Sequence, residues 1–77
     1  MKKNKRHTSD AEVSQQIRKL RSAAKLSQRE LAAMIGTKAS VVCRMENANY
    51  DGHSVSMLRR IAKAFGHHVE VHFVSIR

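Results

Sequence analysis

The side chains best suited to bind another molecule lie between residues 37 and 50, where basic and small polar residues alternate with apolar ones. Lys38 could donate a hydrogen bond to guanine O6 or N7, or to a phosphate, and Ser40 could bond to several bases. Arg44 could bind guanine through two parallel hydrogen bonds, although a phosphate contact would also suit it. These residue types indicate contact with nucleic acid.

A second group of reactive side chains lies near the end of the chain, where His67, His68, Glu70 and His72 follow one another. On a strand, His68, Glu70 and His72 would share a face, so a zinc site between two subunits is sterically conceivable. Such residues more often form the hydrated face of an edge strand, and we expect no metal site.

The remaining chemistry is sparse. Cys43 is the single cysteine, which excludes an intrachain disulfide. A thiolate near DNA-binding cations could sense oxidants, but we expect a small residue that is merely tolerated there. The pattern contains no nucleophile with a base, no phosphate loop and no paired carboxylates, so we expect no enzyme activity and no cofactor.

The stretch Leu26–Asn47 predicts two short helices joined by a tight turn. Ser27 and Glu30 have the spacing of a capping box. Gly36 stands where the first helix must end in a left-handed conformation, and Thr37 is positioned to cap the next helix at once. Two capped helices with almost no linker must cross steeply, which is the geometry of a helix-turn-helix whose second helix enters the major groove.

Two further helices flank this unit. Ser9 and Glu12 form a second potential capping box that opens a helix over Asp10–Ala24, and Ser54 caps another that ends near Ala64. The apolar stripe predicted for the first of these helices contains Val13, Ile17, Leu20 and Ala24. The inward face predicted for the last helix contains Leu58, Ile61, Ala62 and Phe65, with Val55 as an addition.

The last residues change periodicity. Val69, Val71 and Phe73 alternate with other residues as on a strand, and no second strand is visible in the sequence. A lone strand cannot satisfy its own backbone, so pairing with a second copy across a two-fold axis is the simplest solution. The alternatives are disorder and pairing with a foreign protein. We therefore assign 67–77 to dimerisation, 9–66 to the DNA-binding domain and 1–8 to a basic arm.

Charge and length limit the functional classes. The 77 residues suffice for one small domain, and their formal net charge is +9. This surplus favours polyanions, with nucleic acid ahead of an anionic membrane surface. No apolar run is long enough to span a membrane and no signal-like segment follows the basic start, so we expect a cytoplasmic, nucleoid-associated protein without a membrane partner. The basic arm is expected to be disordered; it either aids solubility or contacts phosphates or the minor groove.

The motif as a whole resembles the Cro/lambda-repressor type of helix-turn-helix, the XRE family, over roughly residues 17–66. The residues that carry this resemblance are Leu26-Ser27-Gln28, Glu30-Leu31-Ala32, Gly36 and Met45-Glu46-Asn47. The resemblance implies a mostly α fold, a compact lambda-repressor-like bundle of four to five helices with a central helix-turn-helix, to which the C-terminal strand would be added. Family members usually have glycine where Ala48 stands, so Ala48 is either left-handed and strained or marks a helix that ends differently.

The resemblance also implies roles for individual residues. Arg21 and Glu46 would form a structural ion pair between the first helix and the end of the recognition helix, and Gln28 would donate to a phosphate. The start of the recognition helix would face the bases, and the residues beyond it would touch the DNA backbone. The DNA-binding residues implied in this way, or added because their side chains are exposed, are Gln28, Arg29, Thr37, Lys38, Ala39, Ser40, Cys43, Arg44, Asn47, Asn49 and Tyr50.

The expected function is a dimeric, sequence-specific transcriptional repressor that binds an inverted-repeat operator in double-stranded DNA. The strand-forming tail resembles antitoxins of the HipB and HigA types, which implies an antitoxin that represses its own operon and neutralises a cognate toxin. The alternative is a stand-alone phage or mobile-element regulator without a toxin. A protein-binding module that does not bind DNA is a more distant alternative, because it would not need so basic a surface.

Overall fold

Four helices form the regular secondary structure of residues 9–76, the part of the chain that the computed structural model describes. They are α1 (Asp10–Ala23), α2 (Gln28–Ile35), α3 (Ala39–Met45) and α4 (Val55–Ala64). The mostly helical class predicted from the sequence is confirmed, and each helix lies within one residue or turn of its expected place. The predicted basic arm, 1–8, lies outside the described residues.

Both predicted capping boxes are present. At the start of α1, the Glu12 amide donates to Ser9 Oγ at 3.1 Å and the Ser9 amide donates to Glu12 Oε1 at 2.9 Å. At the start of α2, Ser27 and Glu30 form the same reciprocal pair at 3.0 and 2.8 Å. Each box satisfies two of the backbone donors that a helix start leaves without partners, which fixes where α1 and α2 begin.

The turn between α2 and α3 is built on Gly36, which has the predicted left-handed conformation with φ of 75°. The amide of Thr37 donates to the Ala32 carbonyl at 2.8 Å, a bond that spans six residues and closes a Schellman turn. The prediction that Thr37 caps α3 is wrong, because this residue is used to end α2. Lys38 is the N-cap of α3 instead, and its side chain makes no capping hydrogen bond.

The end of α1 forms the same kind of turn without a glycine. Lys25 has φ of 59°, and the Leu26 amide donates to the Arg21 carbonyl at 3.1 Å. A left-handed backbone brings the Cβ of a lysine close to its own carbonyl, a contact that glycine avoids. This turn was not predictable from residue type, because lysine rarely adopts a left-handed conformation.

The core is centred on α2, which packs against both α3 and α4. Leu31 of α2 and Val42 of α3 are completely buried. The other core side chains are Ile17, Ala32, Ile35, Met45 and Ile61, with Val13, Val41, Met57, Leu58, Ala64 and Phe65 packed against them. Two sequence assignments differ from the structure: Ala24 is exposed rather than part of the α1 stripe, and Val55 is 40% exposed.

A polar contact ties α1 to the loop before α4. Ser14 is only 1% exposed, and its Oγ lies 3.0 Å from Nε2 of His53. The rings of Tyr50 and His53 pack nearly perpendicular to each other, with their centroids 4.8 Å apart. The other nitrogen of the imidazole, Nδ1, is buried and has no hydrogen-bond partner among residues 9–76. The contact with His53 Nε2 gives the Ser14 hydroxyl a hydrogen-bond partner, although Ser14 is buried among the apolar side chains of α1.

The loop after α3 settles the question raised by Ala48. Lys25 is the one described non-glycine residue with positive φ, so Ala48 is not in a left-handed conformation. The helix ends at Met45, and the chain then turns at Asn47, whose Oδ1 accepts the Asn49 amide at 2.8 Å. An Asx turn thus stands where the resemblance implied a glycine turn.

The tail after α4 forms no strand in this single chain: residues 9–76 contain helices, turns and irregular backbone only. Val69 is half-buried, whereas the side chains of Phe73 and Ile76 are fully exposed. No helix within the described residues is long and apolar enough to cross a membrane.

The left-handed Lys25 generates a stability prediction. Replacing it with glycine should raise the free energy of unfolding by about 1 kcal/mol, because glycine adopts this conformation without the clash of a Cβ. Urea denaturation followed by circular dichroism measures the change. Lys19→Gly is the matched control: it removes the same exposed charge from within α1 and should lower the stability by about 1 kcal/mol. A Lys25→Gly protein no more stable than the parent would show that the turn is not strained.

Candidate nucleic-acid interface

The candidate interface is the exposed side of α3 together with the start of α2. Ser40, Cys43, Arg44 and Asn47 are exposed, and their spacing places them on one side of the helix and its C-terminal extension. Val42 and Met45, which lie between them in sequence, are buried against α2. The alternation of buried and exposed positions therefore turns one continuous polar face of α3 toward solvent.

The remaining candidate residues divide into two groups. Lys38 and Arg29 are exposed, as base or phosphate contacts would require, whereas Thr37 and Ala39 are half-buried at the turn. Thr37 is thus less available than the sequence indicated, because its backbone ends α2 and its side chain is partly covered.

The charged side chains exposed on α3 and at its N-cap are basic. Arg44 and Lys38 are exposed, and α3 contains no acidic residue. The nearest acid along the chain is Glu46, whose side chain is only 4% exposed. A phosphate approaching α3 would therefore meet Lys38 and Arg44 at a helix that has no exposed carboxylate of its own, which favours a polyanion.

Glu46 is neutralised by Arg21 of α1. Arg21 Nε donates to Glu46 Oε2 at 2.6 Å, and Nη2 donates to Oε1 at 3.0 Å, a bidentate arrangement. The third donor, Nη1, binds the Leu26 carbonyl at 2.8 Å. The hydrogen bonds to Glu46, with the attraction of its charge, raise the pKa of the Arg21 guanidinium above its ordinary value. The pair brings the end of α3 onto α1 and onto the start of the helix-turn-helix.

Gln28, the first residue of α2, also binds Glu46. Its Nε2 donates to Glu46 Oε1 at 3.1 Å. A carboxylate can only accept, so the amide nitrogen must face Glu46, and this nitrogen carries a second N–H that the contact does not use. The half-buried Gln28 side chain is therefore held at the N-terminus of α2 with one donor left for an external acceptor.

The residues beyond α3 are partly committed to the fold. Asn47 uses its side chain in the Asx turn, and the hydroxyl of half-buried Tyr50 donates to the Gly52 carbonyl at 3.2 Å. Asn49 is exposed. Of these three candidates for contacts with the DNA backbone, only Asn49 has a side chain that is both exposed and outside the hydrogen bonds of the loop.

Sequence reasoning missed two contacts that position this interface. Arg60 Nη1 of α4 lies 3.4 Å from the Ile35 carbonyl, next to the helix end that Gly36 terminates. Ser14 and His53 join α1 to the loop after α3. Ser14 stands three residues before Ile17 and therefore falls on the buried side of α1, a spacing that could have indicated a buried serine with a hydrogen-bond partner. The position of Arg60 in the sequence carried no such signal.

The ion pair generates a prediction about stability. Glu46→Ala should lower the free energy of unfolding by roughly 2–4 kcal/mol, because it leaves a largely buried guanidinium without its carboxylate. Replacing both partners, Arg21→Met with Glu46→Leu, should restore much of this loss. Glu12→Ala is the control, since it removes an exposed carboxylate from a capping box and should cost about 1 kcal/mol or less. Equal losses for Glu46→Ala and Glu12→Ala in urea denaturation would contradict the structural role of the pair.

Comparison with known proteins agrees with this geometry. A family model described as a helix-turn-helix domain matches residues 3–74, nearly the whole chain. Searches of curated proteins and of solved structures return no significant match. The match is consistent with the XRE-like motif found in the sequence. The chain therefore belongs to the helix-turn-helix domain family, and this membership indicates a DNA-binding regulator.

Proposed function

We propose that this protein is a sequence-specific transcriptional repressor that inserts α3 into the major groove of its operator. The observation that carries the proposal is the exposed face of α3, which presents Ser40, Cys43 and Arg44 to solvent while the acid at its end, Glu46, is paired with Arg21. Repression would follow from occupancy of a promoter, which requires no catalysis.

Arg44 is the principal base-reading residue in this proposal. Its guanidinium is exposed in the last turn of α3, and it is long enough to reach guanine O6 and N7 together. Ala39 and Ser40 are small, so few other bases are read directly. Sequence-dependent DNA shape and bridging waters then contribute part of the specificity.

Gln28 and the exposed cations position the protein on the DNA backbone. The amide N–H of Gln28 that Glu46 does not use would donate to a phosphate at the start of α2, where the helix dipole also favours negative charge. Arg29, Lys38 and Asn49 are exposed and would add phosphate contacts. Such contacts fix the orientation of α3 and contribute to affinity for every sequence alike.

The repressor would act as a homodimer joined by its C-terminal tails. Phe73 and Ile76 are completely exposed in the single chain, and exposed apolar side chains in a segment with strand periodicity favour pairing with another strand. A two-fold dimer would bind an inverted repeat with half-sites about one helical turn apart, on the order of 10 bp.

The biological setting is proposed from resemblance. The tail and the small domain resemble HipB- and HigA-type antitoxins, so the protein would repress its own operon in the cytoplasm and neutralise a cognate toxin through another surface. The alternative is a stand-alone phage or mobile-element regulator. A short toxin-like reading frame beside the gene, whose product is toxic alone and harmless when co-expressed, would support the antitoxin; a toxic effect unchanged by co-expression would favour the alternative.

The base-reading assignment predicts different effects for two substitutions. Arg44→Ala should weaken binding to the cognate operator by roughly 1–3 kcal/mol. Its binding to a shuffled duplex should weaken only as much as the loss of one positive charge requires. Gln28→Ala should weaken both duplexes similarly, because a phosphate contact carries no sequence information. Fluorescence anisotropy with the upstream DNA of the gene and a shuffled duplex, at two salt concentrations, measures both effects.

Arg59→Ala is the matched control for Arg44→Ala. It removes the same charge from an exposed position of α4, outside the helix-turn-helix, and should leave the preference for the operator intact. If Arg44→Ala retains the preference of the parent, α3 does not read the operator through Arg44. If the parent binds both duplexes with equal affinity, and both affinities fall as the salt concentration rises, the protein is a general polyanion binder. The proposed repressor function is then wrong.

The proposed dimer predicts a change of mass on removal of the tail. Deleting residues 69–77 should convert the dimer into a monomer and weaken operator binding, because two half-sites are then bound independently. Sedimentation equilibrium gives the mass, and circular dichroism of the deleted protein shows whether the four helices remain. A deleted protein that is still dimeric would exclude the tail as the dimer interface.

A further inference from the structure

An open apolar groove lies between α1, α4 and the tail. Its volume is about 530 Å³, well above that of a single large side chain. Its apolar lining includes Val13 and Leu20 of α1, Val55 and Leu58 of α4, and Val69 and Val71 of the tail. In the single chain the polar tail residues His68, Glu70 and His72 also border it. The groove lies on α1 and α4, whereas the candidate DNA-binding residues lie on α2, α3 and the loop after α3.

The tail that forms one wall of the groove carries its ionisable groups on one side. Nε2 of His68 lies 3.2 Å from Glu70 Oε2, and Nε2 of His72 lies 3.4 Å from Glu70 Oε1. Three alternate residues can meet in this way only if their side chains leave the backbone in similar directions, as they do on a strand. The intervening residues Val69, Val71 and Phe73 would then share the opposite face.

We infer that the groove is filled by Phe73 of a second copy of this chain, brought there by antiparallel pairing of the two tails about a two-fold axis at Val71. This inference rests on the tail-mediated dimer proposed above and adds its register and its central contact. The interface is self-complementary, because each copy offers one vacant apolar groove and one exposed aromatic side chain.

Hydrogen bonding between imidazole and carboxylate, together with the match of apolar residues, favours this register. With the axis at Val71, Glu70 lies directly opposite the partner's His72, and His72 lies opposite the partner's Glu70. With the axis at Glu70, the two carboxylates would face each other, and directly opposed like charges are unfavourable in a sheet. With the axis at His72, Glu70 would face an apolar residue, the partner's Val74. With the axis at Val69, Glu70 would also face a histidine, the partner's His68, but Val71 would face the partner's polar His67 and Phe73 would have no opposed tail residue. A shift by a single residue would place the apolar face of one tail beside the polar face of the other.

The same register delivers an aromatic side chain to the groove. Phe73 lies opposite the partner's Val69, which is the one half-buried residue among 67–76 and part of the groove wall. Cross-strand pairs of an aromatic and a β-branched residue are favourable. Each Phe73 would thus leave water and pack beside Val69, with Val13, Leu20, Val55 and Leu58 of the partner forming the rest of the surface.

Single cysteines test the register in a Cys43→Ser background. With the axis at Val71, Val71→Cys places two sulfurs on opposed residues about 4.5–5.5 Å apart at Cα, which a disulfide can bridge. Glu70→Cys and His72→Cys place theirs roughly 8 Å apart at Cα, beyond disulfide reach. Upon incubation with oxidised glutathione, Val71→Cys should form the covalent dimer at least ten times faster than either control, as measured by non-reducing electrophoresis.

The results separate the register from the dimer itself. Faster cross-linking of Glu70→Cys or His72→Cys would overturn the register while leaving a tail-mediated dimer in place. No cross-linking by any of the three, with the parent monomeric in sedimentation, would overturn the dimer and this inference together. A dimeric parent in which none of the three variants cross-links would overturn this register, and the mass of the protein that lacks residues 69–77 then decides whether the tail is the interface.

A second pair of variants tests the groove. Phe73→Ala should raise the dimer dissociation constant at least tenfold, as expected for a buried aromatic anchor. Ile76→Ala removes an equally exposed side chain that lies beyond the paired residues in this register, and it should change the constant less than threefold. Since both side chains are fully exposed in the single chain, neither change should unfold it. Equal effects of the two substitutions would show that Phe73 does not fill the groove.

Discussion

The carboxylate of Glu46 is the group on which the arrangement of the helix-turn-helix depends. It accepts hydrogen bonds from Arg21 of α1 and from Gln28 at the start of α2, and it stands directly after α3. One buried acid therefore joins three helices at the point where the two motif helices diverge. Because its negative charge is used inside the protein, the exposed surface of α3 keeps its positive character.

The helix ends supply the second constraint. Capping boxes at Ser9 and Ser27 set where α1 and α2 start, and left-handed residues at Lys25, Gly36 and Gly66 set where the chain leaves the preceding helix. Because both ends of α2 are fixed, the orientations in which its apolar side can pack against α3 and α4 are restricted. In a domain with a small core, such local restrictions help to select a single native packing, since burial alone leaves several packings of similar energy.

Local signals in the sequence predicted much of this architecture. The serine–glutamate pairs, the glycine at 36 and the apolar periodicity around Leu31 and Val42 all depend on neighbours within a turn or two, and the structure has them as expected. Thr37 was misjudged because a residue after a helix-ending glycine can serve either helix, and local chemistry does not decide which. The left-handed Lys25 had no residue-type signal at all.

The candidate interface was predictable to a different degree. Helical spacing predicted that Ser40 and Arg44 share an exposed face, but it could not show that the side chain of Gln28 binds Glu46 or that Tyr50 binds its own loop. Those contacts join residues whose relative placement is set only when the helices pack. The tail is the extreme case, because a strand forms only beside a neighbouring strand, and the described residues of the single chain contain none.

The contact between Ser14 and His53 has a consequence for the order of folding. It joins residues 39 positions apart, whereas the packing of α2 on α3 and the turn at Gly36 involve near neighbours in sequence. Closing a long loop costs more entropy than closing a short one and is repaid only when the contact is complete. We therefore expect the helix-turn-helix to condense first as a nucleus, and the docking of α1 against the loop before α4 to be the late step that makes folding cooperative.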